Sequence, residues 1–120
     1  MLITSRTNGK WMLPKGWPMA GKTDPQAALQ EAHEEAGLEG MVSEEPLGSY
    51  HFIKIFDDGS TLPSQAVIYS LQVTKQRRRW KERGQRKRKW FSLSKAAGLA
   101  YEPDLARFLN NLAAGRTFVR

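Results

Sequence analysis

The chain has 120 residues, the length of one ordinary domain, and its shares of hydrophobic (40%) and charged (26%) residues are those of a globular protein. It contains no cysteine, which excludes disulfides, thiolate–zinc sites and cysteine nucleophiles. No apolar run approaches the roughly 18 residues of a membrane span. The apolar stretch at the start is too short for a secretory signal, so we expect a cytoplasmic protein.

The formal net charge of +7 comes from one segment, residues 75–89, which we call the basic segment. Ten of its fifteen residues are Lys or Arg against a single acid, Glu82, so it carries +9 and the remainder of the chain −2. This pattern implies a polyanionic partner, and nucleic acid, phosphorylated small molecules and acidic membrane all satisfy it. The alternative is a solvated loop without a specific role, although crowding ten bases together is self-repulsive.

The predicted elements alternate between strands and helices. The strand-like segments, rich in β-branched and aromatic residues, are residues 1–6, 11–13, 47–56, 66–73 and 90–93. Helical patterns cover residues 24–36 and 103–114. In the first helix, Asp24 is the predicted cap, Pro25 suits the first helical position, and Gly37 ends the helix. The order predicts a mixed α/β domain.

Three carboxylates, Glu31, Glu34 and Glu35, are spaced so that they project from one face of the first helix. Like charges at this spacing destabilise a helix unless water or a cation compensates them. Hard divalent cations such as Mg²⁺ take carboxylate and carbonyl oxygens and often bridge to substrate phosphates. The helix is therefore a candidate platform for metal-assisted phosphate chemistry, and a solvated acidic face is the alternative.

The spacing around these carboxylates resembles the Nudix box of the Nudix hydrolase family. That box has a Gly, five residues, a Glu, seven residues, Arg-Glu-aliphatic, one residue, Glu-Glu, one residue and Gly-aliphatic. Ala32 is a small substitute for the inner aliphatic residue. The matching positions are Gly16, Glu31, Glu34, Glu35, Gly37 and Leu38. A match at fixed spacing on a predicted loop and helix is far more specific than an acidic turn.

Two positions depart from the box. Lys22 stands where the family has Glu, and Gln30 where it has the Arg that helps to orient the box carboxylates. Because the Glu and the Arg of the family are both replaced, neither is left as a charge without its partner. We expect Lys22 to supply from the loop the positive charge that Gln30 lacks. The departures leave the number of bound metals open.

The resemblance implies the Nudix fold, a mixed β-sheet sandwiched between helices (an α/β/α sandwich), as a single domain over residues 1–120. It also implies Mg²⁺ or Mn²⁺ held by Glu31, Glu34, Glu35 and the backbone carbonyl of Lys15, with these three carboxylates as the catalytic residues. Glu31 is the simplest candidate for the group that activates water. The family cleaves a nucleoside diphosphate linked to another group.

The flanks resemble diphosphoinositol polyphosphate phosphohydrolases and diadenosine polyphosphate hydrolases. The similar segments are Trp11 to Gly16 before the box, and the strand, Trp80-Lys81-Glu82 and Arg88-Lys89-Trp90-Phe91 after it. These relatives usually begin with one more strand than this chain has, so we expect the domain to lack that strand. The resemblance implies a highly phosphorylated small-molecule substrate.

The basic residues are the predicted contacts of that substrate, because Lys and Arg bind phosphate by charge and by forked hydrogen bonds. The predicted substrate-binding residues are Lys15, Lys22, Arg79, Lys81, Arg88 and Lys89. An RNA-binding or RNA-processing Nudix protein is the second hypothesis, although the chain lacks an aromatic-spaced RNA platform. A catalytically inactive Nudix-fold binding module is the third. We expect no membrane partner. Nudix proteins often dimerise, and nothing in the sequence locates an interface.

Overall fold

The computed structural model describes residues 1–115, which contain seven strands and three helices. The strands are β1 (Leu2–Thr4), β2 (Trp11–Met12), β3 (Leu38–Val42), β4 (Gly48–Ile55), β5 (Thr61–Ile68), β6 (Leu71–Gln76) and β7 (Arg88–Lys89). The helices are α1 (Asp24–Ala36), α2 (Leu93–Leu99) and α3 (Pro103–Ala113). The predicted mixed α/β class is confirmed. The last five residues of the predicted domain lie outside the described residues.

Every ladder between the strands is antiparallel. β1 lies between β2 and β7, β3 pairs with β6, and β4 pairs with β5. The β3–β6 ladder shifts register between Glu39 and Gly40. Gly40 has no room for a side chain, because a Cβ there would meet the carbonyl of Gln72 on β6. The glycine therefore allows the two strands to approach at the irregularity.

Helices cover both faces of the strands, as in a sandwich. Successive residues of β1 point to opposite faces: Leu2 (1% exposed) joins one core and Ile3 (0% exposed) the other. The Leu2 core contains Leu105 and Phe108 of α3, and the Ile3 core contains Ala32 of α1. The small side chains of α1 let the helix lie close to the strands, and this helix carries the predicted carboxylates.

Both ends of α1 are capped. The residue that begins the helix is Thr23, so the prediction of Asp24 as the cap is wrong by one position. The Thr23 hydroxyl accepts from the N–H of Gln26 at 3.3 Å, and the Gln26 side chain accepts from the N–H of Thr23 at 2.9 Å. This reciprocal pair satisfies two free amides, which one carboxylate at Asp24 would not do. At the other end, Gly37 adopts a left-handed conformation (φ 67°), as predicted.

Two predicted strands are wrong in the structure. Residues 66–73 belong to two strands, because β5 pairs with β4 and β6 pairs with β3, so the chain changes partner at residues 69–70. Residues 90–93 do not form a strand. Their neighbour β7 pairs with β1, and the Ser92 hydroxyl then accepts from the N–H of Lys95 at 3.3 Å and begins α2. Neither β3 nor α2 was predicted.

Candidate active site

Glu31 lies against the loop that precedes α1. A Cβ built on Gly16 would meet the carboxyl group of Glu31, with Oε2 at 2.8 Å, so the position next to the carboxyl admits only glycine without a shift. The loop and the helix are adjacent because β2 leads directly into residues 13–18, and β2 pairs with β1 beside the core that receives α1. Glu31 is half-buried there. The backbone of the loop therefore approaches the carboxyl closely.

Glu35 is buried one helical turn after Glu31. Its residue is 4% exposed, and its Oε1 accepts from the backbone N–H of Lys15 at 3.4 Å. Burial, followed by the hydrogen bond with Glu31, raises the pKa of Glu35 to about 9, against the opposing effect of the Arg86 charge. Burial and the neighbouring Glu31 carboxyl thus favour the protonated form of Glu35. Full ionisation of both carboxyls requires an additional positive charge.

Glu34 faces a different group of side chains. Its Oε2 accepts from the Gln30 amide at 2.9 Å, and its Oε1 pairs with the Lys81 ammonium at 2.9 Å. The hydrogen bond from Lys81, then that from Gln30, lowers the pKa of Glu34. The structure thus brings together two of the three predicted carboxylates, Glu31 and Glu35, and holds the third in an ion pair.

The basic segment supplies positive charge to the box carboxylates, Lys81 at Glu34 and Arg86 at Glu35. Sequence reasoning expected this charge from Lys22, which lies exposed and lines a surface depression together with Gln30 and Glu34. Among residues 1–115, the Lys22 side chain forms no hydrogen bond or ion pair with a carboxylate. The positive charge thus comes from a segment about 50 residues further along the chain.

Arg86 is the main site residue that sequence reasoning missed. Its side chain is 8% exposed, with Nε donating to Glu82 at 2.7 Å and Nη1 donating to the carbonyl of Thr4 at 3.0 Å. Nη2 lies 3.6 Å from Oε1 of Glu35. The sequence marks Arg86 only as one base among ten, and Glu82 as the single acid of the segment. The available signal was their spacing, because Glu82 and Arg86 are four residues apart and can form an ion pair.

Lys15 has a second set of contacts away from the carboxylates. Its ammonium donates to the buried Glu102 carboxyl at 2.6 Å and lies 4.0 Å from the ring centroid of Phe52. The same carboxyl accepts from the Tyr50 hydroxyl at 3.4 Å. Burial, and then the charge of Glu102, raises the pKa of Tyr50. The Lys15 side chain therefore anchors the loop, and its predicted phosphate contact stays a prediction.

A cleft of about 160 Å³ opens beside Glu31. The loop contributes Gly16 and Trp17, the latter 55% exposed, and Tyr69 lines the cleft from the connection between β5 and β6. A small charged group could enter here and reach the Glu31 carboxyl. Sequence reasoning did not identify Trp17 or Tyr69 as site residues.

The other predicted substrate contacts differ in their surroundings. Arg88 is half-buried and donates to the carbonyls of Ala36 and Arg77, each at 2.7 Å. Arg79 is exposed in a depression next to Trp80. Lys89 is exposed, with its ammonium 5.6 Å from the ring centroid of Phe91. Their roles toward a substrate stay predictions.

The donor chemistry of the carboxylate pair fits a hard divalent cation. Among residues 1–115, no three His, Cys, Asp or Glu side chains come together in a way that could hold a metal ion. Mg²⁺ commonly binds proteins through only one or two carboxylates and completes its shell with water and substrate phosphates. Glu31 and Glu35, with the adjacent loop backbone, match that requirement, and a cation would relieve the repulsion between the two carboxyls.

Residues 1–112 match the family model described as NUDIX domain. The chain therefore belongs to the Nudix family, which confirms the identification from the box. The part of the chain that the structure describes has no helix long and apolar enough to span a membrane.

The chain is similar to named Nudix proteins from a plant and from human. Nudix hydrolase 12, mitochondrial, of Arabidopsis thaliana is 30% identical over 102 residues, which cover 82% of this chain and 50% of that protein. Nudix hydrolase 21, chloroplastic, of the same plant is 37% identical over 100 residues (82% and 48%). Diphosphoinositol polyphosphate phosphohydrolase 3-beta of Homo sapiens is 25% identical over 119 residues (96% and 68%). The chain spans about half the length of these plant relatives.

Proposed function

We propose that the chain is a divalent-metal-dependent pyrophosphohydrolase that cleaves a diphosphate linkage in a highly phosphorylated small molecule by attack of water. The observation that carries the proposal is the Glu31–Glu35 carboxyl pair on the Nudix box helix, with Glu31 against Gly16 and Glu35 against the N–H of Lys15 in the preceding loop. Family membership supports the reaction type, and the basic segment supports a substrate with many negative charges. The cytoplasmic location stays a prediction from the sequence.

Glu31 and Glu35 are the proposed metal ligands, together with the backbone carbonyl of Lys15. When bound, Mg²⁺ or Mn²⁺ would neutralise phosphoryl oxygens and make a nearby water more acidic. Glu35 must lose its proton to act as a ligand, and Arg86 at 3.6 Å favours that loss. Glu34 can join as a third ligand only by leaving Lys81 and Gln30. Glu31 borders the cleft, so it is the proposed group that orients or deprotonates the attacking water.

The proposed substrate belongs to the diphosphoinositol polyphosphate or dinucleoside polyphosphate class. Lys81 lies at the box helix, and its side chain is 70% exposed, so it can contact a phosphate as well as Glu34. The name of the human relative, a diphosphoinositol polyphosphate phosphohydrolase, supports the first of these classes. Lys15, Lys22 and Lys89 are the remaining proposed substrate contacts, and the other two predicted contacts, Arg79 and Arg88, line a different depression, around Trp80.

The test is a hydrolysis screen of both substrate classes and of simple nucleoside diphosphate conjugates, with Mg²⁺ or Mn²⁺ and with chelator. We expect Glu31→Gln and Glu35→Gln each to lower kcat/KM by about 10²-fold or more. Glu44→Gln, which removes an exposed carboxylate outside the box, is the control and keeps full activity. Full activity in both box variants would refute the assignment. Metal binding without turnover on any diphosphate would instead support an inactive binding module.

A further inference from the structure

Four arginines surround Trp80 at the C-terminal end of α1. Trp80 and these arginines line a depression of about 530 Å³ that we call the arginine pocket; the arginines are Arg78, Arg79, Arg83 and Arg88. The Trp80 indole N–H donates to the carbonyl of Glu35 at 3.1 Å, which fixes the pocket to the helix. Three of the arginines are exposed and Arg88 is half-buried. The pocket is therefore an open, strongly cationic concavity.

Three bases of the basic segment are paired with carboxylates, whereas these four arginines are not. Within the same segment, Arg77 pairs with Glu39 at 2.9 Å, Lys81 with Glu34 at 2.9 Å and Arg86 with Glu82 at 2.7 Å. Across residues 1–115, none of the four pocket arginines has a carboxylate within ion-pair distance. The repulsion among them is therefore uncompensated by the protein, and a bound anion would relieve it.

Arg88 is the fixed member of the cluster. Its two guanidinium bonds to the carbonyls of Ala36 and Arg77 hold it in place, and its guanidinium carbon lies 4.0 Å from the ring centroid of Trp80. Burial, and then the charge of Arg83, lowers the pKa of Arg88. A pre-positioned guanidinium with a like charge beside it loses little conformational freedom when it binds a phosphate.

We propose that the arginine pocket binds a compact polyphosphate anion at a position separate from the Glu31–Glu35 pair. Among residues 1–115, none of the residues that line the arginine pocket lines the cleft beside Glu31. Four guanidinium groups around one depression suit closely spaced phosphates better than an RNA backbone. Within the part of the chain that the structure describes, Trp80 is the only aromatic residue that lines the pocket, and Arg88 covers its ring, so it is a poor platform for a base.

The proposal for the arginine pocket is one of binding alone and goes beyond the proposed hydrolysis. It can therefore be tested without a metal ion and without turnover. The probe is inorganic tripolyphosphate, titrated calorimetrically into the full chain in chelator. The test variant is Arg78→Ala/Arg79→Ala/Arg83→Ala, which retains Arg88 because that side chain holds two backbone carbonyls. The control, Lys75→Ala/Lys87→Ala/Lys95→Ala, removes the same charge from exposed positions outside the pocket.

We expect the pocket variant to weaken tripolyphosphate binding by roughly tenfold or more and the control to weaken it by less than about threefold. Equal weakening in both variants would show that binding depends on net charge alone and would overturn the proposal. Absence of tripolyphosphate binding by the wild type would also overturn it. If the triple variant fails to fold, single Arg79→Gln and Arg83→Gln variants replace it, each with a loss of about threefold.

Single-stranded RNA of twelve nucleotides serves as the second arm of the experiment. We expect RNA to bind more weakly per charge than tripolyphosphate. We also expect the pocket and control variants to weaken RNA binding equally. Salt-dependent RNA binding that the pocket variant alone abolishes, with tripolyphosphate binding unchanged, would assign the pocket to nucleic acid and reject a compact anion.

Discussion

Adjacent carboxylates on α1 have opposite electrostatic surroundings. Glu34 has its pKa lowered by Lys81 and Gln30, whereas Glu35 has its pKa raised by burial and by Glu31. Consecutive helical residues are rotated by about 100° from each other, so one side chain reaches the exposed basic segment and the next enters the interior. Two adjacent residues therefore differ in charge: Glu34 is a charged surface group, and Glu35 is a carboxyl that is neutral in the absence of a cation.

The pH dependence of stability provides a test of this contrast. The unfolded chain releases the Glu35 proton above its ordinary pKa near 4.5, while the metal-free folded chain retains it up to about 9. The folded state then binds more protons, so this group lowers the free energy of unfolding as pH rises between those values. Glu35→Gln has no proton to lose, and its stability relative to the wild type should therefore increase with pH, by at most about 1.4 kcal/mol per pH unit.

Chemical denaturation in chelator at several pH values measures this difference. Glu44→Gln, at an exposed carboxylate, should run parallel to the wild type over the same range. Parallel profiles for Glu35→Gln and the wild type would contradict a raised pKa in the folded state.

At the scale of the element, the caps determine where α1 begins and ends. Thr23 and Gln26 exchange two hydrogen bonds at the start, and Gly37 takes the left-handed conformation at the end. A Cβ on Gly37 would lie 2.7 Å from the guanidinium of Arg88 and 3.0 Å from the ring of Trp80. This glycine therefore serves both the turn and the close approach of the basic segment.

Thr23→Ala should destabilise the protein by about 1 kcal/mol, because it leaves the N–H of Gln26 without its acceptor and frees the Gln26 side chain. Thermal or urea unfolding measures the loss. Thr7→Ala, in the exposed turn between β1 and β2, removes the same atoms without a cap and should change stability by less than about 0.5 kcal/mol. Equal effects of the two substitutions would rule out the capping box as a source of stability.

Sequence patterns predicted α1 correctly and missed β3 and α2. The range of α1 was predicted at 24–36, as observed, because caps and an uninterrupted helical composition agree there. β3 contains Glu39 and Gly40, both uncommon in strands, and forms because β6 supplies a partner. α2 has only seven residues, too few for a helical period to be evident, although Ser92 was a usable capping signal.

Across the whole molecule, Arg86 connects three parts of the chain that are distant in sequence. Its guanidinium contacts Thr4 of β1, Glu35 of α1 and Glu82 of the basic segment. Box spacing predicted Glu31 and Glu35, because residues one helical turn apart face the same way whatever surrounds them. The choice of Arg86 among ten bases depends on tertiary packing, which no local pattern encodes.

Arg86→Ala should lower the free energy of unfolding by about 3 kcal/mol, since it leaves the largely buried Glu82 carboxylate with only the more distant Arg6 guanidinium, at 3.7 Å. Arg86→Lys keeps the charge but cannot reach all three acceptors, so its loss should be intermediate. Lys87→Ala, at the exposed neighbouring position, is the control and should remain within about 0.5 kcal/mol of the wild type. Urea unfolding separates these cases, and an Arg86→Ala variant as stable as the control would contradict the role of the guanidinium.

The last carbonyls of α1 are satisfied from outside the helix. Those of Glu34, Glu35, Ala36 and Gly37 accept from Glu82, Trp80, Arg88 and Arg77, respectively. The Nudix box therefore cannot be transplanted into another protein as a unit. A peptide or loop graft containing residues 14–38 would carry every residue of the Nudix box, yet its final turn would fray and its buried carboxyl would be hydrated. During folding, the site cannot be completed by local structure and must await contacts across about 45 residues, such as Trp80 with Glu35.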